Sequence, residues 1–260
     1  MTSSEFSNQF DVLYNNIMSN QAPGLDDYEK SVFLTKAQNE IVLAYFNPKG
    51  NKFLEGFDGN ERRQVDFSMI TRVYTVDTTT LPGFQPSMFD GRSAGVKAVL
   101  FPNDALMIVN ERLVVTRDGS TVNLMVLPIS YTEYTRVMSK PFKRPPHYQA
   151  WRIINTEIEV GTSATSRQAD LIAGPSDTFV AYVARYIKRP CPIVVGTLEG
   201  VTIDGYNDVS ECELDPSIHE DILQRAVELA KAAYTGDVST QVALGSNSGT
   251  ELGITSTQSK

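Results

Sequence analysis

Two histidines and two cysteines are the side chains of this 260-residue sequence best suited to nucleophilic or proton-transfer work near neutral pH. His147 sits among prolines and bases, and His219 stands beside Glu220 at the start of a helical pattern. Neither is within sequence reach of a cysteine or of a GxSxG serine, so a catalytic triad would have to be assembled over distance. HExxH, GxxxxGK[ST] and GxGxxG are all missing. Cys191 and Cys212 are too few for a disulfide scaffold or an all-protein zinc site, and they read as plain thiols of a reducing cytosol. Asp204, Asp208, Glu211, Glu213 and Asp215 cluster, but without the residue order and terminal bidentate glutamate of a calcium loop. They read as a solvated acidic face, and residues 200–205 as a turn with a short strand rather than a phosphate cradle. The expectation is no catalytic residue, no cofactor and no metal, hence no enzyme.

What the charges do show is sorting by segment. Residues 134–156 carry five bases (Arg136, Lys140, Lys143, Arg144, Arg152) and no acid. Residues 178–198 carry three (Arg185, Lys188, Arg189) and again no acid. Residues 199–228 then carry nine acids and one base, Arg225. Three outcomes are open. Folding can mix the segments into neutral surfaces. A basic face of one copy can meet an acidic face of the next, a head-to-tail contact that closes into a ring if the rotation permits. The basic segments can also form a nucleic-acid path, although the net charge of −8 argues against a surface that grips phosphates throughout. On the second reading the interface candidates are Lys140, Lys143, Arg144, Arg185, Lys188 and Arg189, facing Asp204, Asp208, Glu211 and Glu213.

The elements that must position these groups are legible from hydrophobic period. Residues 5–18 and 25–46 carry apolar stripes near the 3.6 repeat of a helix. Asp26 with Glu29 reads as a capping box, 21–24 as the turn of an αα-hairpin, and Asn47-Pro48 as a stop. Residues 61–74 read as a helix or a helix running into a strand, and 75–95 as a long loop. Strand composition follows at 96–101, 106–116, 121–127, 151–160, 170–173, 178–188 and 193–195. Asp118-Gly119 signals a hairpin, and 131–139 a short helix capped by Ser130. Residues 216–234 form one clear helix, with Asp215 as cap, Pro216 in its first turn and Gly236 at its end. The expected fold is α+β: an N-terminal αα-hairpin and a C-terminal helix forming a helical bundle around a central antiparallel β-rich region. The expected domains are 1–95 with 205–238, then 96–204, then a polar tail over 239–260 that is either passive or orders on a partner.

Composition excludes further classes. At 41% hydrophobic residues the chain lies far above the disordered range. Its length lets it bury enough surface to fold without disulfides or metal. Residues 1–20 have no basic start and no apolar core of a secretory signal, and no apolar run approaches a membrane span.

Five stretches carry a resemblance: 22–38 (APGLDDYEKSVFLTKAQ), 141–146 (PFKRPP), 150–152 (AWR), 185–193 (RYIKRPCPI) and 218–230 (IHEDILQRAVELA). Together they resemble virion structural proteins of crAss-like, short-tailed bacteriophages, in particular ring proteins of the head–tail connector. The likeness covers roughly residues 20–235 and lies in structural residues, not in a catalytic motif. It implies a subunit made in the host cytoplasm and built into the virion at the head–tail junction. It also implies a homo-oligomeric ring, commonly of twelve copies, beneath the portal protein and stacked with other tail and ring proteins. Genome DNA would pass through the lumen without specific binding. The alternative from another class is a soluble, monomeric binding or adaptor module outside any virion.

Overall fold

The computed structural model describes residues 1–18, 24–46, 61–79, 83–87, 95–138, 145, 147–160 and 164–235. The chain divides into two compact units, one of residues 1–70 with 190–260, the other of 71–189.

The first unit is built on α1 (Ser3–Met18), α2 (Asp27–Phe46), the short α3 (Glu61–Asp66) and α5 (His219–Thr235). The capping box at α2 forms as its residue types dictate. The Glu29 amide donates to Asp26 Oδ1 at 2.7 Å, and the Asp26 amide to Glu29 Oε2 at 3.1 Å. The expected turn at 21–24 and the stop at Asn47-Pro48 lie largely or wholly outside the described residues, as does Gly236. α5 packs against both α1 and α2. Its entry is a 3₁₀ turn, Pro216–Ile218, capped by Asp215, whose carboxylate accepts from the Ser217 amide. Arg225 ties α5 to Glu40 of α2 at 2.7 Å, and Lys30 ties α2 to Asp11 of α1 at 2.7 Å.

Residues 193–195 correct a strand expectation. Instead of joining a sheet they make one bridge, Val194 to Ser210. Polar side chains of α2 satisfy the rest of this stretch. Thr35 Oγ1 accepts the Ile193 amide, Ser31 Oγ accepts the Val195 amide, and Gln38 Nε2 donates to the Cys191 carbonyl. Strand composition here reflects burial against a helix, not a ladder.

His219, at the start of α5, is buried. Its Nε2 donates to the Leu214 carbonyl at 3.0 Å, while the Met1 ammonium donates to Nδ1 at 2.6 Å. Burial holds its pKa below the ordinary imidazole value, and the nearby ammonium pushes the same way. The neutral ring therefore contributes stability above the unfolded pKa of about 6.5, and that contribution is lost as pH falls through the lower folded value. Thermal melts should show a falling Tm from pH 6.5 toward pH 5, flattened in His219→Gln. A His219→Gln profile that falls as steeply as wild type would refute this.

The second unit is a seven-stranded sheet in the order β1-β7-β3-β4-β5-β6-β2. Its strands are β1 (Thr71–Asp77), β2 (Val96–Phe101), β3 (Ala105–Arg117), β4 (Ser120–Pro128), β5 (Gln149–Val160), β6 (Ala164–Ile172) and β7 (Thr178–Lys188). The β3–β4 turn is Asp118-Gly119, with φ of 50° and 78°, the positive pair a two-residue hairpin demands. The sheet curls until its two end strands meet, where the Tyr74 hydroxyl of β1 donates to the Leu100 carbonyl of β2. Every strand contributes to one interior, including Val76, Val99, Leu113, Leu124, Ala150, Leu171 and Tyr182. α4 (Tyr131–Met138) covers part of the outer surface, with Tyr134 packed on Val96, Ile153 and Ile172.

The structure corrects the β reading in two further places. The region is not wholly antiparallel, because β4 and β5 run parallel. Parallel neighbours need a crossover, and the segment holding α4 provides it. Of the two readings of 61–74, the helix running into a strand is the one that forms, and the strand, β1, extends to Asp77 into the expected loop, paired along its length with β7. Within the expected loop, Gln85 also bridges Ala98. The Thr run masked the alternation of Tyr74 and Val76.

Candidate functional site

The acidic candidates lie on one ordered segment of the first unit. Residues 199–211 form a ribbon folded back on itself. Ile203 and Tyr206 bridge around a turn at Asp204 and Gly205, both at positive φ, and the Leu198 amide donates to the Asn207 carbonyl at 2.8 Å. The ribbon is mounted by a small apolar cluster of Val194, Leu198 and Ile203 with Val32 of α2 beneath it. Ser3 Oγ of α1 donates to the Ser210 carbonyl at 3.3 Å. Glu199, Asp204, Asp208 and Glu211 are exposed along it. So are Val201, Tyr206 and Val209. An exposed loop rich in large apolar side chains is unusual unless something covers it.

Glu213 and Asp215 do not belong to that exposed set. Glu213 accepts the Cys191 amide at 2.9 Å, and Asp215 caps the turn into α5. They are structural carboxylates, which sequence spacing could not separate from their neighbours.

The basic candidates fall on the second unit or outside the described residues. Lys140, Lys143 and Arg144 lie outside them. Arg185 is on β7, paired with Val73 of β1 on one side and Asn110 of β3 on the other. Lys188 ends β7 opposite Ala105, and the exposed Arg189 follows it, its amide on the Asp104 carbonyl at 2.7 Å. Arg152 is not a surface base. It is buried inside the curled sheet, with Nε 2.9 and 2.8 Å from the Glu111 carboxylate oxygens.

Sequence reasoning missed the surroundings of Arg185. Residues on the outer face of β1, β7, β3 and β4 include Val73, Val183, Arg112 and Met125, with Val73 67% and Met125 56% exposed. The signal was present in β3 and β4. There the inward residues Leu113, Val115, Leu124 and Val126 leave Arg112, Met125 and their neighbours on the opposite parity.

The groups that could have done chemistry are engaged in holding the fold. His147 Nδ1 lies 3.1 Å from Arg117 Nη1, and Arg117 makes a two-point pair with Asp177 at 2.6 and 2.7 Å. That guanidinium, with the Gly174 amide, holds the Asp177 carboxyl below its usual range. Cys212 donates to Gln38 Oε1, and burial pushes its thiol up to about 11. A thiol that high is a poor nucleophile at neutral pH. Among the described residues, no group of three or more His, Cys, Asp or Glu side chains is placed to hold a metal ion. Among the same residues, no helix is long and apolar enough to cross a membrane.

Comparison with known proteins bears directly on these surfaces. Residues 1–241 match the family described as "Phage tail ring protein 3/4". The chain is 49% identical over 253 residues to "Ring protein 4/5" of Bacteroides phage crAss001, covering 95% of this chain and 100% of that protein. It is also 29% identical over 246 residues to "Ring protein 3" of the same phage, covering 91% of this chain and 99% of the relative.

Proposed function

The chain belongs to the phage tail ring protein 3/4 family, and from that membership we propose a non-enzymatic subunit of the head–tail connector of a crAss-like phage, assembled as a ring below the portal. The ring, of about twelve copies on the resemblance of the sequence to short-tailed phage adaptors, stacks on the portal protein and on other tail and ring proteins. Genome DNA passes through its lumen. An acidic lining suits that passage, because negative charge repels phosphates and keeps the polymer from sticking.

The observation that carries the reading is the separation of charge between the two units. The exposed acids Asp204, Asp208 and Glu211 stand on the ordered ribbon of the first unit. Arg185, Lys188 and Arg189 stand on the second. Two different patches of opposite sign are what a heterologous, ring-closing contact uses. The basic stretch with Lys140, Lys143 and Arg144 docks a neighbour in the same scheme.

The test is mass by light scattering, alone and after mixing with the portal protein, at low and high salt. A species of several hundred kilodaltons that weakens at high salt is expected, and Lys143→Glu with Arg144→Glu should weaken it further. Intact assembly in that variant would remove the 140–144 stretch from the interface. A monomer in every condition, with no portal binding, would replace the connector reading with the monomeric adaptor module.

A further inference from the structure

The outer surface of the curled sheet is covered unequally. α4 lies over the part contributed by β5, β6 and β2, where Ile153, Ile172 and Val96 are buried beneath Tyr134. Over β1, β7, β3 and β4 the register aligns two rows of outward side chains. One runs Val73, Arg185, Asn110, and the other Thr75, Val183, Arg112, Met125. Val73, Asn110, Thr75, Arg112 and Met125 in these rows are exposed. The face is thus an apolar floor of Val73, Val183 and Met125 set with two guanidiniums. Asp77 lies at its far end, where its carboxylate is occupied by Thr79.

The acidic ribbon is the chemical converse of this face. It carries Val201, Tyr206 and Val209 for an apolar floor, and Asp204, Asp208 and Glu211 for guanidiniums. Its turn is fixed by backbone bridges and its base by buried apolar residues, so little ordering entropy would be lost on docking. We propose that the outer face of β1, β7, β3 and β4 receives the acidic ribbon, residues 199–211, of the next copy of this chain. The inference rests on the ring reading above and deepens it by naming the two surfaces. It assigns the ribbon acids to the contact between copies rather than to the lumen.

The experiment uses three full-length variants and reads assembly by sedimentation velocity, alone and with the neighbouring ring proteins of the same virion. The first reverses the face (Arg112→Glu with Arg185→Glu). The second reverses the ribbon (Asp204→Lys, Asp208→Lys and Glu211→Lys), and the third combines both. Each single reversal sets like charges opposite one another, and should raise the concentration needed for assembly at least about tenfold. The combined variant should assemble again, as should an equimolar mixture of the two single variants, whose copies alternate. Failure of both the combined variant and the mixture to restore assembly would overturn the pairing. Wild-type-like assembly of the single variants would overturn it too, while leaving the ring reading intact. Normal self-assembly of the face variant, with loss of binding only to a neighbouring ring protein, would reassign the face to that partner. A wild-type chain that stays monomeric alone and with those proteins would overturn both readings together.

Discussion

Replacing Arg152 with methionine is expected to cost about 3–5 kcal/mol of stability, because it leaves a carboxylate inside the sheet without its cation. Arg152 and Glu111 face each other from β5 and β3 with almost no exposure, and the Tyr182 hydroxyl of β7 donates to Glu111 Oε2 at 2.7 Å. Burial, with the Glu111 carboxylate adding to it, pushes the Tyr182 hydroxyl well above the ordinary phenol range, so it remains a donor throughout the accessible pH span. The pair is not a source of net stability in itself. Desolvating both ions offsets most of their attraction, and Arg152 Nη1 has no hydrogen-bond partner among the described residues. Glu111→Gln combined with Arg152→Met should therefore recover most of the loss. The amide oxygen still accepts from Tyr182, and no charge is left buried. Urea unfolding followed by the fluorescence of Trp151, the single tryptophan and the neighbour of Arg152, reads both variants. A single-variant loss below about 1 kcal/mol, or a double variant as unstable as the single, would contradict this account.

Arg152 also marks where sequence reading stops. In the sequence it is one of five bases in an acid-free segment, and nothing local distinguishes it from Arg136, which is exposed on α4 beside Glu133. The distinction lies in its position on β5, whose interior-facing residues are Ala150 and Arg152, and in a glutamate 41 residues away. By contrast, the elements themselves were legible wherever a local rule decides them. The capping box of α2, the Asp-Gly hairpin of β3 and β4, and the Asp215-Pro216 entry to α5 each rest on side-chain and backbone chemistry within a few residues. β1 was legible only as one of two readings of 61–74, because its pairing partner β7 is more than 100 residues away and its threonine-rich flank carries turn composition. The candidate surfaces were legible only as charge. Asp204, Asp208 and Glu211 are exposed as expected, while Glu213 was absorbed by a backbone amide. The apolar residues that give both patches their floor alternate out of the core pattern, and strand register alone shows that Val183, Arg112 and Met125 share a row.

Phe6→Ala should be comparably damaging, at about 3–5 kcal/mol, and its effect should reach the ribbon. Phe6, Phe10 and Tyr14 recur every four residues along α1, and all three are buried. The Phe6 ring lies 5.3 Å from that of His219, at the mouth of α5. Truncating it leaves a cavity against a ring that must stay neutral to accept from the Met1 ammonium. Water entering that cavity would relieve the desolvation that holds the His219 pKa down. The acid-sensitive window of the variant should therefore narrow, its lower edge rising toward pH 6.5 and the fall in Tm becoming shallower. The same helix end supplies Ser3, which holds the Ser210 carbonyl, and Ser210 pairs with Val194 at the base of the ribbon. Loosening α1 thus loosens the mounting of Asp204 and Asp208 without touching either carboxylate. Circular dichroism at 222 nm in urea should report the lost stability, with Phe6→Leu, which retains more of the apolar volume, losing less. Assembly should weaken in Phe6→Ala even at temperatures where the chain remains folded. A variant that melts earlier yet assembles as tightly as wild type would show that the ribbon holds its shape without α1.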